Sequence, residues 1–414
     1  MLTPADPASR KFLRISLPLV GISFLNQAVR SVTAVIGPEI ATEFGLSAAD
    51  LGLLAAVMFA AYACAQIPVG VALDRHGPGT VQAVLGLVIA AGAVVFALAG
   101  GFLLLLVGRI IMGVGIAAAL MALMKAHAHW YRPAQVAFAN GACVCLGALG
   151  GLAATWPASI ALRVTDWRGL TLAIAAIAVA VALWNWRSVP DRPPGVARPA
   201  TTVAAAFATV ARIYASPRFW RLVPAVAMLS ALNFTFQGLW AGPWLRDVAG
   251  FGVEARAQVL FVYATGLASG SLLWGAGASA LAARGVRPML AVEAAMAVMA
   301  TLQLVLMTRP TTFLMPVWAL FAFAAAAGSV GYTLIAQTFP VGETGRVSTA
   351  INATMLVMVF VLQSAIGWVL DFWPRTAAGG WDPQAYSAAL ALTFAVQCAA
   401  VGWMLAGRRL SAPA

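Results

Sequence analysis

One arginine, Arg30, interrupts a long apolar run near the start of this 414-residue chain. Four small or polar residues share its face at helical spacing: Ser23, Asn26, Thr33 and Gly37. A guanidinium presents a planar fork that holds a carboxylate or phosphate through two hydrogen bonds. The stripe therefore predicts an anion-binding site, and the alternative is a structural arginine paired with helix carbonyls.

The element that carries Arg30 is predicted to span a membrane. Hydrophobic residues make up 62% of the chain, charged residues 9%, and the mean hydropathy is +0.90, which excludes an ordinary soluble domain. Because the runs lack strict alternation, we predict helices and not a barrel. Twelve runs are long enough to cross a bilayer: 13–37, 51–73, 80–100, 102–124, 134–160, 168–188, 219–244, 256–282, 288–308, 312–337, 346–370 and 385–407.

The net charge of +12 is interpreted as a topology signal. Nucleic acid is excluded as a partner because no basic cluster carries interleaved aromatic residues. With the N-terminus inside, most basic residues fall in cytoplasmic breaks, and the outer breaks hold only Arg163, Arg168, Arg246, Arg256, Arg309 and Arg375. The sequence predicts a multi-pass protein of a bacterial inner membrane with both termini cytoplasmic.

A Pro-rich break divides the predicted spans six and six. We expect an N-terminal six-helix bundle over 1–187, a cytoplasmic linker over 188–218 and a C-terminal six-helix bundle over 219–414. Gly-Pro pairs at 37–38 and 242–243 lie 205 residues apart, near half the chain length. This repeat favours two parallel, pseudo-symmetric bundles, a recurring transporter design.

Two motifs connect this organisation to a known family. The stretch "GVALDRHG", from Gly70 to Gly77, resembles the signature that the major facilitator superfamily carries between helices 2 and 3. "GRIIMGVGIA", which contains Arg109 and Gly113, resembles its helix 4 signature. The chain resembles this superfamily over nearly its whole length. The resemblance implies an all-α transporter of twelve helices that works by alternating access.

The first motif supplies candidate gating residues. In the family, an acid such as Asp74 faces the cytoplasmic start of helix 11, where backbone N–H groups carry a partial positive charge. The resemblance therefore implies a latch; a charged turn that only orients the hairpin is the alternative. The gating candidates are Gly70, Asp74, Arg75, Gly77, Arg109 and Gly113, although for Arg109 we favour a structural interpretation.

Glycine pairs predict close helix contacts. Gly147 and Gly151 in predicted span 5, and Gly266 and Gly270 in predicted span 8, have G-x-x-x-G spacing. The family resemblance pairs these two helices across the cavity, which would suit a moving contact. Close packing without motion would give the same pattern.

The candidate substrate site combines both halves. Arg30 stands eight residues before Pro38, an arrangement similar to that of organic-anion members, in which the helix 1 arginine grips the substrate. The position 205 residues further on is Thr235, whereas organophosphate exchangers of the family carry a cation in both halves. A single cation favours a monocarboxylate or a zwitterion. The predicted substrate contacts are Asn26, Arg30, Asn233, Gln237, Trp240, Tyr263 and Tyr332.

Energy coupling is weakly specified by the sequence. Glu293 is the only acid inside a predicted span, one turn from its cytoplasmic end, and the histidines near Lys125 are interpreted as part of a basic membrane edge. The sequence has no G-x-x-x-x-G-K-[ST] loop, which argues against coupling to ATP within this chain. Proton symport, exchange and uniport all stay open.

The sequence therefore predicts a secondary active transporter for a small organic anion. The alternative is a transporter of a neutral solute, a drug or a metal, with Arg30 structural. We expect no enzyme activity, catalytic residue, cofactor or resident metal, because no nucleophile, base or metal constellation converges. The expected partners are a small-molecule substrate, a coupling proton if symport holds, and the lipid bilayer, for a functional monomer.

Overall fold

The computed structural model describes residues 6–193, 202–340, 343–376 and 379–406. Within these ranges the regular structure is helical, apart from a single antiparallel bridge between Arg375 and Trp381. Twelve helices are long and apolar enough to cross a membrane: Ser9–Ser31, Ala48–His76, Pro78–Ala97, Phe102–Trp130, Ala139–Ala161, Trp167–Ser188, Pro217–Asp247, Val253–Ala283, Met289–Met307, Leu314–Ala336, Thr344–Leu370 and Pro383–Ala406. We number them spans 1 to 12. The predicted fold class is confirmed.

Span 1 differs from its prediction because it is not one uniform helix. It begins with Ala8–Lys11, passes through a π-helical turn at Phe12–Ser16 and continues as Leu17–Ser31. After Val32 a separate helix, Thr33–Glu43, carries Pro38 in its interior. The polar stripe predicted over 23–37 is thus divided between two helices.

Four other spans are also interrupted. The breaks lie where Gly, Pro or Thr weakens the helical hydrogen-bond ladder or where the helix adopts a π-turn, and they release backbone carbonyl groups for side chains to use. Span 4 consists of Phe102–Gly115 and Ala119–Trp130, and span 5 lies in Pro133–Ala153 and Trp156–Ala161. Span 7 consists of Pro217–Thr235, the π-turn Phe236–Trp240 and Ala241–Asp247, and span 10 of Leu314–Ala325 and Gly328–Ala336.

The chain forms two compact units. Unit 1 comprises 1–32 and 57–208, and unit 2 comprises 33–56 and 209–414. In unit 1, span 1 packs against span 5 and span 3 against span 6; in unit 2, span 7 packs against span 11 and span 9 against span 12. The pairs in unit 2 are those of unit 1 advanced by six spans, as expected for a repeat.

The segment predicted as a linker contains a helix. Residues 194–201, which hold part of its Pro-rich start, lie outside the described residues, and Val203–Tyr214 follows as a helix. The Tyr214 hydroxyl donates to the carbonyl of Ala350 in span 11 at 3.1 Å. The end of this helix is therefore attached to unit 2.

The two Gly-Pro pairs of the repeat meet inside unit 2. Helix Thr33–Glu43 packs against the π-turn Phe236–Trp240 and helix Ala241–Asp247. A Cβ at Gly242 would collide with the carbonyl oxygen of Ala34, whereas one at Gly37 would lie 3.4 Å from a methyl group of Leu51. Packing thus requires glycine at Gly242, whereas Gly37 has room for a Cβ.

Candidate functional site

The Arg30 side chain is held inside unit 1 by its own helix and its neighbours. Its Nη1 donates to Oδ1 of Asn26 at 3.2 Å, and its Cζ lies 5.7 Å from the centre of the Phe59 ring. Tyr62, one turn further along span 2, lies within electrostatic reach of the guanidinium. Arg30 and Asn26 are 9% and 6% exposed. Asn26 and Arg30 therefore share one face, as predicted from the sequence, and the hydrogen bond between them is an addition from the structure.

Asn26 is itself fixed by the break in span 4. Its Nδ2 donates to the carbonyl of Ile116 at 3.2 Å, just beyond the end of helix Phe102–Gly115. Because the amide nitrogen of Asn26 donates to this carbonyl, the amide oxygen is directed towards Arg30. The chain Ile116, Asn26, Arg30 thus orients the guanidinium, and the contribution of Ile116 was not predicted.

Arg109 is a second buried arginine and lies close to the first. Its Nη1 donates to the carbonyl of Val29 at 3.2 Å and approaches the sulfur of Met58 at 3.6 Å. The guanidinium also lies over the Phe96 ring, 5.7 Å from its centre. These contacts tie span 4 to the backbone beside Arg30 and match the structural interpretation of Arg109.

Gly113 is positioned by close packing. A Cβ there would collide with the carbonyl oxygen of Met58 in span 2. The helix 4 motif therefore brings spans 2 and 4 together at the level of the two arginines.

In unit 2, three of the predicted substrate contacts form one hydrogen-bonded group. The Asn233 Nδ2 donates to Oε1 of Gln237 at 3.2 Å, and the Tyr263 hydroxyl donates to Oδ1 of Asn233 at 3.0 Å. Gln237 lies in the π-turn Phe236–Trp240, a feature that is frequent at functional sites. Tyr263 also packs against Trp318 and Phe321.

The other candidates of unit 2 lie apart from this group. The indole N–H of Trp240 donates to the carbonyl of Gln363 at 3.1 Å, and the ring is fully buried. Tyr332 is half-buried in helix Gly328–Ala336. Thr235, the counterpart of Arg30 in the repeat, is fully buried. Among the residues that the structure describes, no hydrogen bond joins Trp240 or Tyr332 to Asn233, Gln237 and Tyr263.

The turn between spans 2 and 3 is fastened by a residue that follows span 6. Gly77 has φ of 95°, a conformation that favours glycine, and a Cβ there would collide with the side chain of Asp191. Asp191 accepts from the backbone N–H of Thr80 at 2.8 Å and from its hydroxyl at 2.6 Å. Asp191 therefore caps span 3, which sequence reasoning missed because the partners are 111 residues apart.

Asp74 has a partner within its own unit. Its carboxylate forms an ion pair with Lys125, and its backbone carbonyl accepts from Arg192. Lys125 was placed beyond the end of predicted span 4, but the helix continues to Trp130 and includes it. The latch implied by the family requires Asp74 to exchange this partner. Arg75 is exposed, and a Cβ at Gly70 would meet nothing within 4 Å.

Three of the four predicted glycines make close contacts within their own unit. A Cβ at Gly147 would lie 2.8 Å from that of Ser23 in span 1. In span 8, Gly266 and Gly270 approach the carbonyl groups of Ala319 and Phe323 in span 10. These glycines therefore pack helices of the same unit, and the close approach is confirmed.

The expectation that Glu293 is the only acid inside a span was wrong. Span 7 extends to Asp247, whose side chain is 4% exposed. The carboxylate accepts from Nη2 of Arg246 at 3.0 Å and from the Tyr386 hydroxyl at 2.7 Å. The prediction missed this acid because it ended the span at residue 244, before the last helical turn.

Asp371, the residue just after span 11, has a capping role that was not predicted. Asp371 accepts from the backbone N–H groups of Ala48 and Ala49 at 2.9 and 2.8 Å, and it thereby caps span 2. Both of its partners belong to the same unit, unit 2.

The interpretation of the histidines as a basic membrane edge was wrong for His127. Its side chain is completely buried, and both ring nitrogens contact polar side chains. The cause is the same as for Lys125, since span 4 is longer than predicted and carries His127 into the packed interior of unit 1.

Comparison with known proteins identifies the architecture. The family model described as Major Facilitator Superfamily matches residues 19–363. The chain belongs to the major facilitator superfamily. A bacterial homolog of the human lysosomal transporter Spinster superimposes with a TM-score of 0.72 at 20% identity, covering 97% of this chain and 96% of that one. The nucleoside transporter NupG gives 0.71 at 12% identity, with 94% and 99% covered. At these identities the likeness shows the fold.

Curated relatives in the superfamily are named as transporters. A probable sulfoacetate transporter of Cupriavidus necator is 28% identical over 41% of this chain and 40% of its own length. The hexuronate transporter of Bacillus subtilis is 25% identical over 61% of each, and a probable L-galactonate transporter of Escherichia coli is 31% identical over 38% and 35%. The matches cover less than two thirds of these relatives. The family match and the twelve candidate spans establish a multi-pass membrane protein of this superfamily.

Proposed function

We propose that this superfamily member is a secondary active transporter that moves a small organic anion by alternating access. The observation that carries the proposal is the buried guanidinium of Arg30, held by Asn26 at 3.2 Å. A charged side chain inside a span is costly, and it is usually retained for a substrate, an ion path or a partner. We place the protein in the inner membrane of a bacterium, with both termini cytoplasmic.

The geometry around Arg30 supports an anion over a neutral solute. Asn26 engages one terminal nitrogen, and the ring of Phe59 lies 5.7 Å from Cζ. A planar fork fixed in this way is pre-organised for a carboxylate or sulfonate, so little side-chain entropy is lost on binding. The relatives named for sulfoacetate, hexuronate and L-galactonate all have anionic cargo in their names.

The chemistry of unit 2 supports a cargo with a single acidic group. Its candidate contacts, Asn233, Gln237 and Tyr263, are uncharged hydrogen-bonding groups. Thr235 stands where the repeat would place a second cation, and it is fully buried. We therefore propose a monocarboxylate, a sulfonate with comparable charge, or a zwitterion. We also propose that Trp240 and Tyr332 contact the substrate, as the sequence predicts.

Gating by the turn between spans 2 and 3 is a further part of the proposal. Asp74 would leave Lys125 and accept from another donor when the transporter changes state, while Asp191 keeps the turn folded. An exposed or half-exposed ion pair contributes at most about 1 kcal/mol, so an exchange of partners is energetically small. The other residues that we propose for gating, together with Asp74, are Gly70, Arg75, Gly77, Arg109 and Gly113.

Uptake by proteoliposomes tests the function. We expect the wild type to accumulate glucuronate or L-galactonate, each of which has one carboxylate, and Arg30→Lys to reduce that uptake about 10- to 100-fold. The expectation follows because a charge-assisted hydrogen bond contributes about 1.5–3 kcal/mol, and about 1.4 kcal/mol is a factor of ten. Arg187→Lys, which changes an exposed arginine, is the matched control.

Two results would reject the proposal. Equal anion uptake by the wild type and Arg30→Lys would remove Arg30 from the site. Uptake of a neutral solute or a drug that survives Arg30→Ala would favour the alternative transporter, in which the arginine is structural.

A further inference from the structure

A buried polar cluster lies in unit 1 away from Arg30. We call Ser16, His127, Tyr131, Asn140 and Cys143 the His127 cluster. His127 Nδ1 lies 2.7 Å from Oδ1 of Asn140, and Nε2 lies 2.9 Å from Oγ of Ser16. The Ser16 hydroxyl in turn lies 2.8 Å from the Tyr131 hydroxyl. Three segments that are distant in the sequence thus enclose one imidazole.

The hydrogen bonds of the cluster fit a neutral imidazole. Asn140 Oδ1 can only accept, so Nδ1 carries a hydrogen and donates. Nε2 then accepts from the Ser16 hydroxyl, and the Ser16 oxygen accepts from the Tyr131 hydroxyl. Each contact has one donor and one acceptor.

The same contacts also fit a protonated imidazole. When Nε2 gains a proton it donates to the Ser16 oxygen, which rotates its own hydrogen towards the Tyr131 oxygen. Nδ1 continues to donate to Asn140. Only two hydroxyl rotations separate the states, so the enclosure accommodates both without losing any of the three bonds.

The hydroxyl groups also provide a route for the proton. Tyr131 lies one residue beyond span 4, at the end that we assign to the cytoplasm. A proton arriving at the Tyr131 oxygen releases the tyrosine's own proton to Ser16, and Ser16 releases its proton to Nε2. Every oxygen accepts one proton and gives one, so both hydroxyls end neutral and the ring gains the charge.

The charged and titratable neighbours of the cluster are few. Lys11 lies 5.9 Å from the centre of the Tyr131 ring, and Arg14 is an exposed cation of the adjacent π-turn. Span 5 contributes the Cys143 thiol, 4.0 Å from Nε2, whereas span 3 has no titratable residue in Pro78–Ala97. On span 4 itself, Lys125 and His129 lie two residues either side of His127, with Lys125 in an ion pair with Asp74, and Tyr131 follows the span.

We propose that His127 is the coupling site of this transporter, which takes up and releases the proton that drives transport. The inference rests on the proposed function, since an anion of single charge carried with one proton adds no net charge to the cell. An imidazole suits this use because its charge changes near neutral pH.

A direct test needs no substrate. Histidine-labelled full-length protein in nanodiscs gives three imidazoles to follow by NMR from pH 5 to 8.5, and single His→Gln variants assign them. We expect the His127 ring to pass between its neutral and charged forms within this range. Ser16→Ala should shift that transition, because it interrupts the hydroxyl chain. A His127 ring that stays neutral throughout would overturn the proposal.

Transport separates this proposal from the proposed function. With glucuronate and L-galactonate as probes, an inward proton gradient should raise wild-type uptake at least tenfold. His127→Gln should lose that increase but keep exchange of labelled for unlabelled anion, while His129→Gln, on the same helix, should keep both. An increase that persists in His127→Gln, or that is absent from a wild type with anion uptake, rejects the coupling site only. Uptake of none of the probes counts against the proposed function, and the NMR titration then decides His127 alone.

Discussion

The two halves of the repeat keep their Gly-Pro pairs but place opposite kinds of polar chemistry beside them. Unit 1 holds the cation Arg30, oriented by Asn26, which is anchored on Ile116. Unit 2 has Thr235 at the matching position and a neutral group built from Asn233, Gln237 and Tyr263. We therefore propose that one half supplies charge recognition and that the other supplies hydrogen bonds and shape.

The largest effect is expected when unit 2 is given a buried charge like that of unit 1. Thr235→Arg would place a charge in a fully buried position that has no prepared partner, which costs several kcal/mol. We expect a large loss of folded protein and a lower apparent melting temperature in detergent. Thr235→Val serves as the size-matched control; wild-type stability of Thr235→Arg would contradict the assigned environment.

The Gly-Pro pairs themselves should respond unequally. Gly242→Ala forces a methyl group against the Ala34 carbonyl and should cost about 1–3 kcal/mol, as overpacking does. Gly37→Ala meets only a leucine methyl at 3.4 Å and should be neutral, or stabilising by up to about 1 kcal/mol through helix propensity. Thermal melts of both variants measure this, and equal destabilisation would show that the contact at Gly242 is not specific.

Replacing Asn26 should change the affinity for anions, whereas replacing Asn233 should change the preference among them. Asn26→Ala removes the group that orients Arg30, so we expect affinity for every anionic substrate to fall about tenfold, the equivalent of one hydrogen bond to a charged group. Asn233→Ala should instead alter the ranking among anions. Competition of unlabelled anions against labelled uptake separates the two. If Asn26→Ala changed the ranking and Asn233→Ala weakened all anions alike, the division between the halves would be reversed.

The smallest effect is expected from Tyr263. Tyr263→Phe removes the hydroxyl that donates to Oδ1 and the backbone carbonyl of Asn233 while it keeps the ring packing on Trp318, which should cost about 0.5–1.5 kcal/mol. We expect a small drop in melting temperature with an unchanged preference for anions. Loss of that preference would give unit 2 a part in charge recognition.

The fold could be predicted because hydropathy and span length act locally. Most span ends were placed within about four residues; span 1 ends earlier than predicted, at Ser31, and span 4 extends further, to Trp130, and so includes Lys125 and His127. The shared face of Arg30 and Asn26 followed from helical spacing. Apolar content continues across breaks such as the one after Gly115, so hydropathy alone did not indicate them.

Contacts between distant segments could not be predicted in the same way. Asn26 finds the Ile116 carbonyl 90 residues away, Asp191 caps span 3, and Ser16 meets His127 across 111 residues. A single sequence contains no pattern that pairs such positions. The site was therefore predicted at the level of its side chains, and its supporting partners required the structure.

We propose that Arg30 gives the transporter its preference for negative charge, and a binding experiment with charged and neutral forms of one ligand decides whether it does. Purified wild type and Arg30→Gln are titrated with L-galactonate and with its uncharged amide, or, if L-galactonate does not bind the wild type, with glucuronate and its amide. The wild type should prefer the anion by at least about tenfold, which corresponds to about 1.4 kcal/mol, and Arg30→Gln should bind both equally. An undiminished preference in Arg30→Gln would contradict the claim.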